Sequence, residues 1–417
     1  MYCGSCLQDN AVAAALTRAG VDIQLVPMYT PIRTDEPDQS LDQVFFGGIN
    51  VYLQQKLPSL GKLPSFLTHW LDRPQLIRWV TSGQMQTKPA KLGDLTVSML
   101  KGSDGNQAAE VERLVKWLDQ YAQPQLVHFS NILIGGCAST IKQGLNVPIL
   151  VTLQGDDAFL DGLSKPHHQA ALDQIREIDT AVDGYVVHSD FYADHMSAYL
   201  GIDRTKFQKI PLAITTTDLA NPVEPHGASR PPTIGYMARL APEKGLHVLC
   251  AALQRLRQRT ETANARLLIA GWLGADYRPQ VEDLFQQLSE TCGPDCFEFQ
   301  GTVTRSEKRA LFADIDVLSV PTTFLEPKGL YVLESLAAGT PVVQPNHGIF
   351  PELMESTGGG LLCKPNDPQD LADRLFELLT DESRRRELGS TGQDNVLKRH
   401  TTAVAAGALQ QIYSAHL

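Results

Sequence analysis

The chain has 417 residues, 43% hydrophobic and 20% charged, with a formal net charge of −11 and a sequence pI near 5.5. That length suffices for two domains with cores of their own, and the composition is ordinary for a globular protein. The acidic balance argues against nucleic acid as the main partner; no apolar run approaches the ~20 residues of a spanning helix and no basic-then-apolar signal opens the chain, so the cytoplasm is the expected address.

Residues 9–19 read as a helix, capped by Asp9 or Asn10 and ended by Gly20, and 21–27 read as a strand. Residues 28–106 are less regular. Between Lys56 and Lys91 six cations stand against one acid, Asp72, with Phe66, Trp70, Leu76 and Trp79 interleaved. This is either an interfacial surface for anionic lipids or a lipid-linked acceptor, or a pair of surface helices with their aromatic side packed inward. Alternation then becomes regular: helix 106–121, strand 126–129, helix 132–143, strand 148–153, helix 165–181 and strand 184–188. Such alternation means parallel sheet. Pro222, Pro225, Pro231 and Pro232 mark an interdomain linker. Beyond it come strand 233–236, a helix from Lys244, strand 266–270, a helix from Pro279, strand 296–299, and strands near 317–320 and 341–343. Helices 368–379, 383–397 and 401–415 close the chain.

Seven cysteines, an odd number scattered along the chain, do not make a disulfide framework. Cys3 and Cys6 have CxxC spacing, but no second CxxC follows, and Cys292 and Cys296 are separated by three residues rather than two. Neither a zinc site nor a redox dithiol is expected from them; a small-residue turn before a helix is.

Residues 321–345, PTTFLEPKGLYVLESLAAGTPVVQP, place two carboxylates, Glu326 and Glu334, eight positions apart. The first sits in a Pro/Gly turn, the second inside an apolar helix that begins near Gly329. A helix N-terminus offers unpaired N–H groups and a partial positive charge, which suits a phosphorylated ligand, and the flanking carboxylates can grip sugar or ribose hydroxyls. A helix with two solvated acids is the plainer alternative. Upstream, strand 233–236 runs into a loop carrying Arg239 and Lys244, followed by Gly245 and an amphipathic helix. Two cations at a strand's C-terminal end can neutralise a diphosphate leaving group; the alternative is a solvated basic loop.

Together these segments resemble glycosyltransferase family 4, retaining enzymes that use nucleotide sugars and carry the GT-B fold. The likeness is close over residues 233–380 and includes Arg239, Lys244, Glu326, Glu334, Gly339-Thr-Pro-Val-Val, Gly348, Pro351-Glu352 and Gly360 to Pro365. It is looser in the N-terminal half. Lys328 departs from it, since the family usually has an aromatic there.

The resemblance implies an α/β protein of two Rossmann-like domains whose parallel sheets face a cleft. Residues 1–222 would form the acceptor domain, 223–398 the nucleotide-sugar domain, and 399–417 a helix returning to the first. In the family a strand precedes the first helix; here Met1 to Cys6 would be the loop after it, so the first strand is expected to be missing from the sequence. Gly47 and Gly48, in FFGGINVYL, resemble a segment near the donor phosphates of sucrose-type transferases, although they follow the second strand rather than the first.

The implied activity is retaining transfer of a hexose from a nucleotide-diphosphate sugar to an acceptor hydroxyl of a glycan, lipid or small molecule, with no cofactor. Arg239 and Lys244 would stabilise the departing diphosphate and Glu326 hold donor-sugar hydroxyls. Gly329, Leu330 and Tyr331 would offer amides, Glu334 accept from the ribose, and backbone near Val303 meet the base. Gln154 stands where family members carry a histidine, which fits a mechanism in which the leaving phosphate takes the acceptor proton. Asp156 or Asp157 either orients that acceptor or caps the next segment. His128 reads as structural, or as facing the cleft. Asp314 and Asp316 have the DxD spacing of metal-binding transferases of the other fold, but they enter a buried strand and no metal is expected. The alternatives are a non-catalytic nucleotide-sugar binder and a same-fold epimerase. A phosphorylase would need a pyridoxal lysine motif and a dehydrogenase a GxGxxG after a strand, and neither is seen.

Overall fold

A computed structural model describes residues 4–29, 36–41, 44–46, 89–219 and 230–417. The chain divides into two compact units, one of Tyr2–Ile210 with Ala405–Leu417 and one of Pro211–Val404. Gly47, Gly48 and nearly all of the cation-rich stretch lie outside the described residues. Among the described residues no helix is long and apolar enough to cross a membrane. Cys6, Cys137, Cys250, Cys292, Cys296 and Cys363 are free thiols.

The amino-terminal unit holds a parallel sheet of β1 (Val127–Phe129), β2 (Ile149–Thr152), β3 (Gly184–Val187) and β4 (Phe207–Lys209), in that spatial order. Val127 pairs with Ile149 and Tyr185 with Phe207. Every residue of β2 and β3 is buried, the signature of central strands covered on both faces. β4 is too short to carry a readable pattern and was not predicted. Ile141, Val151, Ile175, Tyr192 and Met196 fill the core between sheet and helices. Helix Asp190–Leu200 starts at Ser189, whose side chain accepts from the Tyr192 N–H, and stops at Gly201.

Two predicted elements differ. The single helix expected over 132–143 is a 3-10 turn, Ile132–Cys137, followed by the α-helix Ala138–Leu145. At this point the Gly136 backbone passes so close to Met99 that a Cβ would stand 2.0 Å from its carbonyl oxygen. Tertiary packing, not the local pattern, sets the tighter turn. The strand expected over 21–27 is reduced to isolated parallel pairings of Leu25 with Ser40 and Met28 with Phe45, after a helix that spans Gly4–Arg18.

The carboxy-terminal unit contains a six-stranded sheet of parallel pairings in the order β10-β9-β8-β5-β6-β7. Its strands are β5 (Thr233–Met237), β6 (Arg266–Ala270), β7 (Phe297–Gly301), β8 (Val317–Leu318), β9 (Val342–Pro345) and β10 (Gly360–Cys363). Ile234 pairs with Leu267 on one side and Val317 on the other. From β5 the chain builds outward through β6 and β7, then β8 returns to its other side and the sheet grows outward again. The strand order therefore reverses between β5 and β8, and in open parallel sheets ligands bind at the carboxyl ends of the strands flanking such a reversal. Asp316 anchors the entry to β8: its carboxylate accepts from the Thr233 N–H at 2.8 Å and from Arg230 at 3.0 Å.

Candidate active site

The loops that leave β5 and β8 meet at this reversal. The β5 loop carries Arg239 and ends in a short 3-10 turn, Pro242–Lys244, before helix Leu246–Leu256. The β8 loop carries Glu326 and ends at Gly329, the cap of helix Leu330–Ala337. The Thr323 N–H donates to the Glu243 carbonyl at 2.9 Å and ties one loop to the other. A third loop, after β9, supports them: the Ile349 N–H donates to the Glu326 carbonyl at 2.9 Å.

Lys244 and Glu326 form the centre. The ammonium donates to Glu326 Oε2 at 2.5 Å, with side-chain exposures of 15% and 7%. The same ammonium lies 4.7 Å from the Phe324 ring centroid and 5.9 Å from that of Tyr331. The two aromatic faces stabilise the partly desolvated ammonium beside its carboxylate partner. The Tyr331 hydroxyl donates to Glu326 Oε2 at 3.4 Å. Burial, reinforced by the Glu326 charge, pushes the Tyr331 phenol well above its ordinary pKa, so it stays a donor. Nearby, burial lowers the pKa of His347, whose Nε2 lies 3.3 Å from the Thr322 hydroxyl.

Arg239 is 46% exposed on its side chain and pairs with Glu243 four residues on. Gly329 and Leu330 open the helix beside the pair, where the first N–H groups have no intrahelical acceptor. Lys328 is buried. Glu334 lies one turn into that helix, and its Oε1 accepts from Lys308 at 2.9 Å. Lys308 belongs to helix Arg305–Ala313, which follows β7 and the half-buried Val303. Sequence reasoning missed Lys308 and Phe324. The box of Thr304 and Glu307, which fixes the phase of the helix bearing Lys308, was the legible signal for the first.

The amino-terminal unit carries a separate polar cluster after β2. Gln154 is buried, its amide donating to the Ser130 carbonyl at 2.8 Å and to Asp9 at 3.3 Å. Asp156 is also buried and accepts from the backbone N–H groups of Ile132 at 3.1 Å and Gln154 at 3.0 Å. Burial outweighs these bonds and raises its pKa to about 6. Its carboxylate thus holds the backbone of Ile132 and Gln154, which precede it, and does not cap the segment that follows, helix Asp156–Leu160, which starts at Gly155 without a side-chain cap. Asp157 accepts from the Tyr192 hydroxyl at 2.7 Å and from His195 at 3.1 Å, and the bond to Asp157 raises the His195 pKa. His128 is held between the hydroxyls of Tyr413 and Thr152, both at 2.8 Å. Among the described residues, no three His, Cys, Asp or Glu side chains are grouped to hold a metal ion.

The chain matches two family models: Glycosyl transferases group 1 over residues 222–395 and Glycosyltransferase Family 4 over residues 97–218. It is 31% identical over 182 residues to the D-inositol 3-phosphate glycosyltransferase of Corynebacterium aurimucosum, covering 43% of this chain and 42% of that one. The chain thus spans less than half the length of that curated relative. In fold it is similar to sucrose-phosphate synthase from Thermosynechococcus elongatus, with a TM-score of 0.69 at 20% identity over 97% of this chain and 91% of the other. It is similar also to Anabaena HepE in complex with UDP and glucose, with a TM-score of 0.62 at 20% identity over 76% and 83%. With two parallel-sheet α/β units of this architecture and both family models matched in order along the sequence, the chain belongs to glycosyltransferase family 4 and has the GT-B fold.

Proposed function

We propose that the protein is a retaining hexosyltransferase that takes its sugar from a nucleotide diphosphate and passes it to an acceptor hydroxyl. The observation that carries this reading is the Lys244–Glu326 pair, set where the strand order reverses and beside the amino end of helix Leu330–Ala337. Lys244, with Arg239, compensates the charge that develops on the diphosphate. Glu326 accepts from hydroxyls of the donor sugar, Gly329, Leu330 and Tyr331 present backbone N–H groups, and Glu334 accepts from the ribose, while backbone near Val303 borders the base. The bond from the anomeric carbon to the diphosphate oxygen breaks as the acceptor oxygen bonds to the same face. The acceptor proton passes to the departing phosphate oxygen, giving a glycoside of retained configuration and a nucleoside diphosphate. No metal is assigned a part in this scheme. A UDP-sugar is the first donor to try, because HepE, a GT-B neighbour, is seen with UDP and glucose.

Release of nucleoside diphosphate from UDP-, GDP- and ADP-hexoses, with and without candidate acceptors, tests the proposal. Lys244→Ala should lower turnover about 10²-fold or more, as loss of charge stabilisation at an enclosed site does. A variant that transfers as fast as the parent would remove Lys244 from the chemistry. One observation favours a second reading, a nucleotide-sugar binder without turnover: the Gln154 amide is spent on Ser130 and Asp9 rather than left for an acceptor. Tight donor binding with neither transfer nor hydrolysis would support it.

A further inference from the structure

We propose that Lys308 is a positioning residue: its ammonium fixes the Glu334 carboxylate so that the second carboxylate oxygen is presented to the ribose hydroxyls of the donor nucleotide. The inference rests on the reading of Glu334 as the ribose acceptor given above.

Helix Arg305–Ala313 is anchored independently of this contact. Thr304 and Glu307 form a reciprocal capping box, and the Arg305 guanidinium forks onto Asp218 at 2.6 and 2.7 Å while donating to the Thr215 carbonyl at 3.0 Å. Lys308 follows Arg305 by three positions and so adjoins it on the helix surface. With the helix phase set this way, the Lys308 ammonium meets Glu334 Oε1 at 2.9 Å, and the two side chains are only 15% and 16% exposed. An enclosed ion pair adds little net stability over two apolar residues of the same size, so stability alone does not account for its presence. Glu334 Oε2, by contrast, accepts no hydrogen bond among the described residues. One oxygen is fixed and the other is left to accept, which is the arrangement a carboxylate needs to receive hydroxyl donors in a single orientation.

The test compares ribose with its absence. Binding of uridine, guanosine and adenosine diphosphates to the full chain is measured by calorimetry, together with the 2′,3′-dideoxy form of whichever binds. Lys308→Met, which keeps the stem and removes the charge, should weaken the ribonucleotide about tenfold or more, the cost of a lost charge-assisted bond. It should leave the dideoxy analogue bound as in the parent, and Lys308→Arg should recover most of the loss. Combining Lys308→Met with Glu334→Gln should weaken binding no further than Glu334→Gln alone. Equal weakening of both ligands, or no weakening of either, would overturn the inference while sparing the donor site. A parent chain that binds none of the diphosphates would overturn the reading of the site, and this inference with it.

Discussion

Lys244 and Glu326 are 82 positions apart in the chain and meet at 2.5 Å, each arriving on the loop that leaves one of the two strands flanking the order reversal of the carboxy-terminal sheet. The contact joins the two segments in which the sequence concentrates its chemistry.

Because the pair is enclosed, breaking it on one side should cost more than removing it. Glu326→Gln leaves an uncompensated ammonium, and such losses run to about 3–5 kcal/mol. The double variant Lys244→Met with Glu326→Gln carries neither charge and should unfold at higher denaturant than Glu326→Gln alone. Urea titrations of both variants and the parent measure this. A double variant less stable than either single one would mean that the two side chains do not act as a pair.

Gly348 sets the height of the Glu326 turn. Its φ is +59°, and a Cβ there would stand 2.7 Å from both the backbone nitrogen and the oxygen of Glu326. Gly348→Ala should cost about 1–3 kcal/mol through strain and displacement of the Glu326 backbone. Its donor affinity should fall, while Gly293→Ala, at another positive φ with nothing within 4 Å, should leave affinity unchanged. Thermal unfolding and donor binding, measured on both, separate the two effects.

The His128 imidazole gives the amino-terminal unit a calculable acid response. Burial lowers its pKa from 6.5 to about 4. Between those values the unfolded chain binds a proton that the folded state refuses, so this group's contribution to stability falls as pH drops from about 6.5 towards 4. Asp156, raised to about 6, works in the opposite sense, since the folded state takes its proton first and gains stability as pH falls through 6 towards 3.8. The two nearly oppose one another in the parent. His128→Gln should therefore gain stability, relative to the parent, as pH falls from 6.5 to 4.5. Denaturant midpoints across that range check the sign, and a constant difference between the two proteins would show that His128 does not titrate differently on folding.

A donor that binds only the folded chain must raise its unfolding temperature, by an amount equivalent to about 2.7 kcal/mol at a hundredfold excess over Kd. UDP and UDP-hexoses should therefore shift the melting curve of the parent, and should shift that of Lys244→Ala much less. Equal shifts in both would place the diphosphate elsewhere.

Much of the carboxy-terminal unit was determined by the sequence alone. Arg266–Ala270 was expected to its ends, because a buried parallel strand reads as an unbroken apolar run closed by polar or glycine residues. Arg239, Lys244, Glu326 and Glu334 stood out in the sequence as candidates, and the structure brings two of them, Lys244 and Glu326, into contact. The order of the strands was not legible in the sequence: which side of β5 receives β8 is a nonlocal choice, and that choice brings the Lys244 and Glu326 loops together. Nor could the pattern show that Lys244 would face Glu326, that Lys308 would hold Glu334, or that Asp156 would spend its oxygens on backbone. Those pairings depend on helix phase and on the distance between elements, and both are fixed only when the apolar faces pack.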